Sequence, residues 1–172
     1  GAVAAMRGVD QHPNLVHFLD DRDAIVRKAA IDAIGAAGSL VFWRVAIKPG
    51  RPVAMGVLRG TAFVGLPGNP VSSFVTFQVL VRPFLLRLQG VQDVAPRSVE
   101  AVAHFDLPKP DKRREFLRVR YNAQGGLDGF ANQSSGVLTS AVWGDGVVDN
   151  PAGQTIAPGD TVRFIPFAQL LS

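Results

Sequence analysis

Residues 63–77 read FVGLPGNPVSSFVTF. A short run of strand character meets Leu66-Pro67-Gly68-Asn69-Pro70, and a helical pattern begins at once. Each proline fixes φ near −65° and removes a backbone donor, so the junction has few shapes open to it. Asn69 stands where a helix N-cap belongs and Pro70 where the first helical residue belongs. Ser72 and Ser73 add hydroxyls to the first turn. Strand, glycine turn and helix together can turn backbone N–H groups toward an anion. The same pattern serves a plain, well-capped connection. It is not a Walker A loop, because the Gly-Lys-Ser/Thr ending is absent.

The surrounding periodicity divides the chain in two. Residues 14–38 predict helix, with Leu15, Val16 and Leu19 in one apolar group. Ile25, Val26, Ala29, Ala30, Ala33 and Ile34 form a second, Asp20, Asp21 and Asp23 offer caps between them, and Gly35 and Gly38 stop the helix. The period changes to two in LVFWRVAIKPG, so Arg44 and Lys48 are expected on one face of one strand, roughly 13 Å apart. Val53–Leu58 and Thr61–Leu66 read as a β-hairpin through Arg59-Gly60. Residues 70–89 read as a helix that Pro83 must kink or split and Gly90 ends. From residue 91 a linker leads to an edge strand. Short strands follow at 115–121, 127–130, 136–140, 146–149 and 161–166, separated by Gly, Asn, Asp and Pro turns. That spacing predicts a small β-barrel or sandwich.

Composition narrows the chemistry. The net charge is +4, with scattered charges apart from Lys109–Arg114, so no basic tract points to nucleic acid. A small anion is an equally good match for that charge. With no cysteine there is no disulfide frame and no thiolate metal site. The three histidines lack zinc spacing, no uninterrupted apolar run reaches membrane-spanning length, and no signal-peptide pattern opens the chain. A cytoplasmic protein is expected.

FWRVAIKPGRPVAMG (42–56) and FVGLPGNPVSSFVTFQVLVRPFLLRLQG (63–90) resemble the molybdopterin molybdenumtransferase family, whose eukaryotic relative is the E domain of gephyrin. KRREFLRVRY, NQSSGVLTSAVWGDGVV and APGDTVRFIPF look like that family's C-terminal β-barrel. The resemblance covers roughly residues 39–172. It implies an α/β fold followed by an all-β one. Residues 1–90 would be the C-terminal part of a three-layer molybdopterin-binding domain, with 1–38 divergent and helical. Residues 91–172 would be the barrel.

The resemblance also implies a reaction: molybdenum from molybdate enters adenylylated molybdopterin and AMP is released, with Mg²⁺ assisting, in a homodimer. It implies that Arg44 and Lys48 bind the anionic ligand, Arg44 standing where Lys is commoner. Pro67, Gly68, Asn69, Pro70 and Ser72 would border the pocket, joined by Ser135, with Ser134 in place of the family's glycine. The family's metal-site acid falls on Lys28 by straight spacing, and Asp23 takes that place only with an insertion. Gathering anions in this way needs positioning and charge compensation more than a nucleophile.

Two other readings stand beside it. The chain could be a non-catalytic molybdopterin-binding or scaffold fragment. Residues 14–38 also resemble one HEAT-type helical hairpin, at Asp23, Val26, Arg27 and Ala30, which would suit an interaction protein carrying a remnant.

Overall fold

The computed structural model describes Leu19 and residues 23–171. The helical reading of residues 14–22, the caps Asp20 and Asp21, and the N-terminal half of the HEAT-like pattern lie outside them, Leu19 apart. The chain forms two compact units. One comprises the described residues up to Val45 together with Pro52–Pro67; the other comprises Ala46–Arg51 and the described residues from Gly68 on.

In the first unit, helix α1 spans Ala24–Ala37. Asp23 caps it, its carboxylate accepting the Ile25 N–H at 2.8 Å. The helix runs through Gly35 and stops at Gly38. Strands β1 (Gly38–Phe42), β3 (Ala54–Leu58) and β4 (Thr61–Gly65) make an antiparallel sheet in the order β1-β3-β4. The hairpin turn takes positive φ at Arg59 (49°) and Gly60 (81°), the backbone twist a two-residue hairpin favours. Ala30 and Ile34 of α1 pack with Leu19 and Ala54, and with Leu40, Trp43, Leu58 and Phe63 around them.

The expected continuous strand through Phe42–Lys48 is broken. β1 leaves its sheet at Phe42, after an irregularity in its pairing with β3. The chain re-enters strand conformation only at β2, Ile47–Lys48, in a different sheet. The apolar residues of the run are claimed by separate cores: Trp43 joins the α1 cluster, and Ile47 joins Val71, Val75, Phe116 and Val147. Arg44 and Lys48 therefore do not share a face of one strand.

In the second unit, a 19-residue helix begins at the Pro70 junction. It consists of α2 (Pro70–Thr76), a wider π turn (Phe77–Val81) and α3 (Arg82–Leu88). The expected break at Pro83 is absorbed by that turn, in which the Arg82 N–H reaches back five residues to the Phe77 carbonyl. Val91 N–H to Leu86 O (3.0 Å) and Gly90 N–H to Arg87 O (3.1 Å) close the end as a Schellman motif. By length and composition this helix could cross a membrane. Here Val71 and Val75 are buried against Phe116, Val147 and Ile165 of the sheet.

That sheet has six strands, β2-β6-β8-β9-β5 in order, with β7 also paired to β6. Its members are β5 (Val99–Val102), β6 (Arg114–Tyr121), β7 (Leu127–Gly129), β8 (Gly146–Asn150) and β9 (Thr161–Pro166), beside β2. Among the described ladders the β2–β6 pairing is parallel and the others are antiparallel. β6 is buried on both faces because successive side chains point oppositely. Phe116 faces the helix; Leu117 and Val119 face a core with Val148, Val162 and Phe164. Among the described residues no ladder closes the sheet into a barrel; an isolated parallel bridge links Ala103, just past β5, with Leu127 of β7. Residues 136–140, expected as a strand, instead make a turn leading into helix α4 (Thr139–Trp143). Buried Ser140 turns the chain there, donating from Oγ to the Val137 carbonyl at 2.6 Å. Helix α5 (Phe167–Leu171) follows β9.

Candidate functional site

The junction forms as the sequence predicts, with β4, an irregular loop and then α2, Asn69 at the N-cap and Pro70 at the first helical position. Gly68, Asn69 and Pro70 are exposed, while Pro67 and Ser72 are buried. The cap itself differs from expectation. The Asn69 side chain makes no bond to its own helix. It donates instead from Nδ2 to Ser135 Oγ at 3.2 Å. The Ser135 carbonyl accepts the Val71 N–H at 3.3 Å, so a helix N-terminal donor is spent on this loop. Two residues singled out from the sequence, 66 positions apart, thus meet at the start of one helix.

Lys48 reaches the same helix through its neighbours. Pro49 follows a cis peptide, and Gly50 then adopts φ +116°. A Cβ on Gly50 would lie 2.2 Å from Thr76 Cγ2, so this turn packs directly on α2. Only glycine combines that conformation with that approach. Thr76 Oγ1 donates to the Ser72 carbonyl at 2.6 Å, which keeps its methyl turned outward from the helix.

The Lys48 ammonium is not a bare cation. Its Nζ lies 2.9 Å from Glu115 Oε1 and 3.6 Å from Asp111 Oδ2. Lys48 is 39% exposed, whereas Glu115 is 1% exposed. The parallel register of β2 on β6 sets this pair, because Lys48 stands opposite Glu115. The second Glu115 oxygen accepts the Asp111 N–H at 2.9 Å. Arg113 forks onto Asp111 at 2.8 and 2.7 Å and holds that carboxyl far below the usual carboxylate range. Arg44 stacks on Trp43, its Cζ 4.0 Å from the ring centroid, in the stretch between β1 and β2.

Sequence reasoning missed Arg118. It is 1% exposed on β6, and its guanidinium meets Ser140 Oγ (3.2 Å), the Phe116 carbonyl (3.2 Å) and the Ser134 carbonyl (3.4 Å). Burial pushes it down to about 10. Gln133 bonds the Arg118 backbone through both its N–H and its carbonyl, at 2.9 Å each. Arg118 and Gln133 so fix the loop that carries Ser135. A charged residue at the centre of the apolar alternation EFLRVRY was the available signal.

Asp23 is engaged as the α1 cap. Among the described residues no group of three or more His, Asp or Glu could hold a metal ion.

Two family profiles match. Residues 20–87 match the one described as a probable molybdopterin binding domain, and residues 100–167 match the MoeA C-terminal region (domain IV). A molybdopterin molybdenumtransferase of Haemophilus influenzae is 37% identical over 158 residues, 87% of this chain and 38% of that protein. Molybdopterin molybdenumtransferase 2 of Mycobacterium tuberculosis is 38% identical over 101 residues, 55% of this chain and 25% of that protein. The chain thus spans well under half the length of either relative. Among solved structures, a molybdopterin biosynthesis MoeA protein from Pyrococcus horikoshii superposes with TM-score 0.67 at 29% identity, over 81% of this chain and 35% of that one. A molybdenum cofactor biosynthesis protein from Pyrococcus furiosus gives 0.63 at 28%, over 86% and 55%. Both profiles in order along one chain, with α/β structure followed by a β-rich part, place this chain in the molybdopterin molybdenumtransferase (MoeA) family.

Proposed function

We propose that this chain supplies the molybdopterin-binding surface and C-terminal domain for inserting molybdenum from molybdate into adenylylated molybdopterin, with release of AMP. The observation that carries the reading is the meeting of the family's two motif segments on helix α2. The Lys48-Pro49-Gly50 turn packs on Thr76, and Asn69 at the helix start bonds Ser135. One contact lies at the end of α2, at Thr76, and the other at its exposed start.

In this reading Lys48 and Arg44 compensate the anionic ligand. The ammonium pairs with Glu115 at 2.9 Å and stands 3.6 Å from Asp111, beyond hydrogen-bond distance, so donor capacity remains for a ligand. Gly68, Asn69 and Pro70 form the exposed rim, and Ser135 offers a hydroxyl beside it. Pro67 and Ser72, being buried, shape the turn rather than touch the ligand. The proposal extends to the division of the chain into domains at residues 1–90 and 91–172, which the ranges of the two family profiles support. It extends also to a homodimer in the cytoplasm and to assistance by Mg²⁺, as the resemblance implies.

The test is AMP release from adenylylated molybdopterin, with and without molybdate. Molybdate-dependent release that falls in Lys48→Ala supports the enzymatic reading. Binding without release supports the alternative that this chain is a binding fragment.

A further inference from the structure

We propose that Glu115 is a positioning residue that acts through Lys48; the proposal rests on the functional reading of Lys48 above. A carboxylate exposed to 1% is costly unless it is paired and hydrogen-bonded. Glu115 meets both conditions with different partners. One oxygen accepts the Asp111 N–H at 2.9 Å, and the other faces the Lys48 ammonium at 2.9 Å. Its backbone is locked between strands, opposite Lys48 on β2 and Asn150 on β8. The carboxylate is therefore the fixed member of the pair, and the half-exposed lysine is the member that gets placed.

The wider cluster supports this assignment. Asp111, more exposed than Glu115, lies 3.6 Å from Lys48, and Arg113 engages both Asp111 oxygens. Lys48, Arg113, Asp111 and Glu115 sum to zero formal charge. An arrangement built only to maximise attraction for an anion would not surround its lysine with two carboxylates. An arrangement built to hold the ammonium in one direction would do so, because a long lysine side chain otherwise keeps most of its rotamer freedom.

The test is a double-mutant cycle read as affinity for adenylylated molybdopterin. Lys48→Ala and Glu115→Gln are each expected to weaken binding about tenfold, and the double variant to be no weaker than Lys48→Ala alone. A merely structural Glu115 would impose its loss with or without Lys48, so penalties that multiply to about a hundredfold would overturn the proposal. Tighter binding by Glu115→Gln would also overturn it, making the carboxylate a competitor of the ligand. If Lys48→Ala binds as well as the unaltered chain, the functional reading of Lys48 fails and this role falls with it. If Lys48→Ala binds weakly and Glu115→Gln normally, only the positioning role fails. Should Glu115→Gln not fold, Glu115→Asp keeps the charge but withdraws it by one methylene, and the same non-additive outcome is expected from it.

Discussion

Asn69 Nδ2 donates to Ser135 Oγ at 3.2 Å, joining the start of α2 to the loop that Arg118 and Gln133 hold in place. The Ser135 carbonyl completes the junction by accepting the Val71 N–H. Asn69→Ala removes one exposed hydrogen bond and is expected to cost about 0.5–1 kcal/mol. Ser135→Ala removes the same bond from the other side. Urea unfolding of the two single variants and the double should therefore show non-additive losses.

Gly50→Ala is expected to cost about 2–4 kcal/mol, because it combines a positive φ with a contact that forces Thr76 aside. Adding Thr76→Ser removes the obstructing methyl and keeps the hydroxyl that bonds Ser72. Thermal unfolding should show partial recovery in the double variant, since the backbone strain remains.

Lys48→Ala strands the buried Glu115 carboxylate and is expected to destabilise the fold by about 1–3 kcal/mol. Adding Glu115→Gln removes the stranded charge. Denaturant midpoints should then rise from the single to the double variant, and a further fall would contradict the pairing.

Asp111 makes a pH prediction. Its carboxyl is held far below its ordinary 3.8, first by the side-chain bonds from Arg113, with Lys48 adding a smaller attraction. Between the two values the unfolded chain binds the extra proton, so stability rises with pH through that window. The advantage of the unaltered chain over Asp111→Asn should be constant above about pH 5 and shrink as pH falls below 3.8. An advantage that held unchanged down to pH 2.5 would contradict the Asp111–Arg113 bond.

Local features of this fold are legible in the sequence. The Pro67–Pro70 junction, the Arg59-Gly60 hairpin and the strands at β6, β8 and β9 follow from turn chemistry and two-residue alternation within a few neighbours. What the sequence hides is non-local. LVFWRVAIK alternates cleanly, yet Trp43 and Ile47 are claimed by different cores and the strand breaks between them. Residues 136–140 carry no helix signal strong enough to outweigh their strand-like pattern, and the bonds of the Ser140 hydroxyl to Val137 and Arg118 appear only in the fold. Lys48 looks like a free cation until the parallel pairing of β2 with β6 sets it against Glu115, 67 positions later.

The most direct measurement is the affinity of this chain for adenylylated molybdopterin, compared between the unaltered protein and Lys48→Ala, with circular dichroism confirming that both are folded. The account predicts binding that weakens about tenfold in the variant, equivalent to about 1.4 kcal/mol. Equal affinity in two folded proteins, or no binding by either, would contradict the assignment of the Lys48 and Pro67–Ser72 segments to a molybdopterin site.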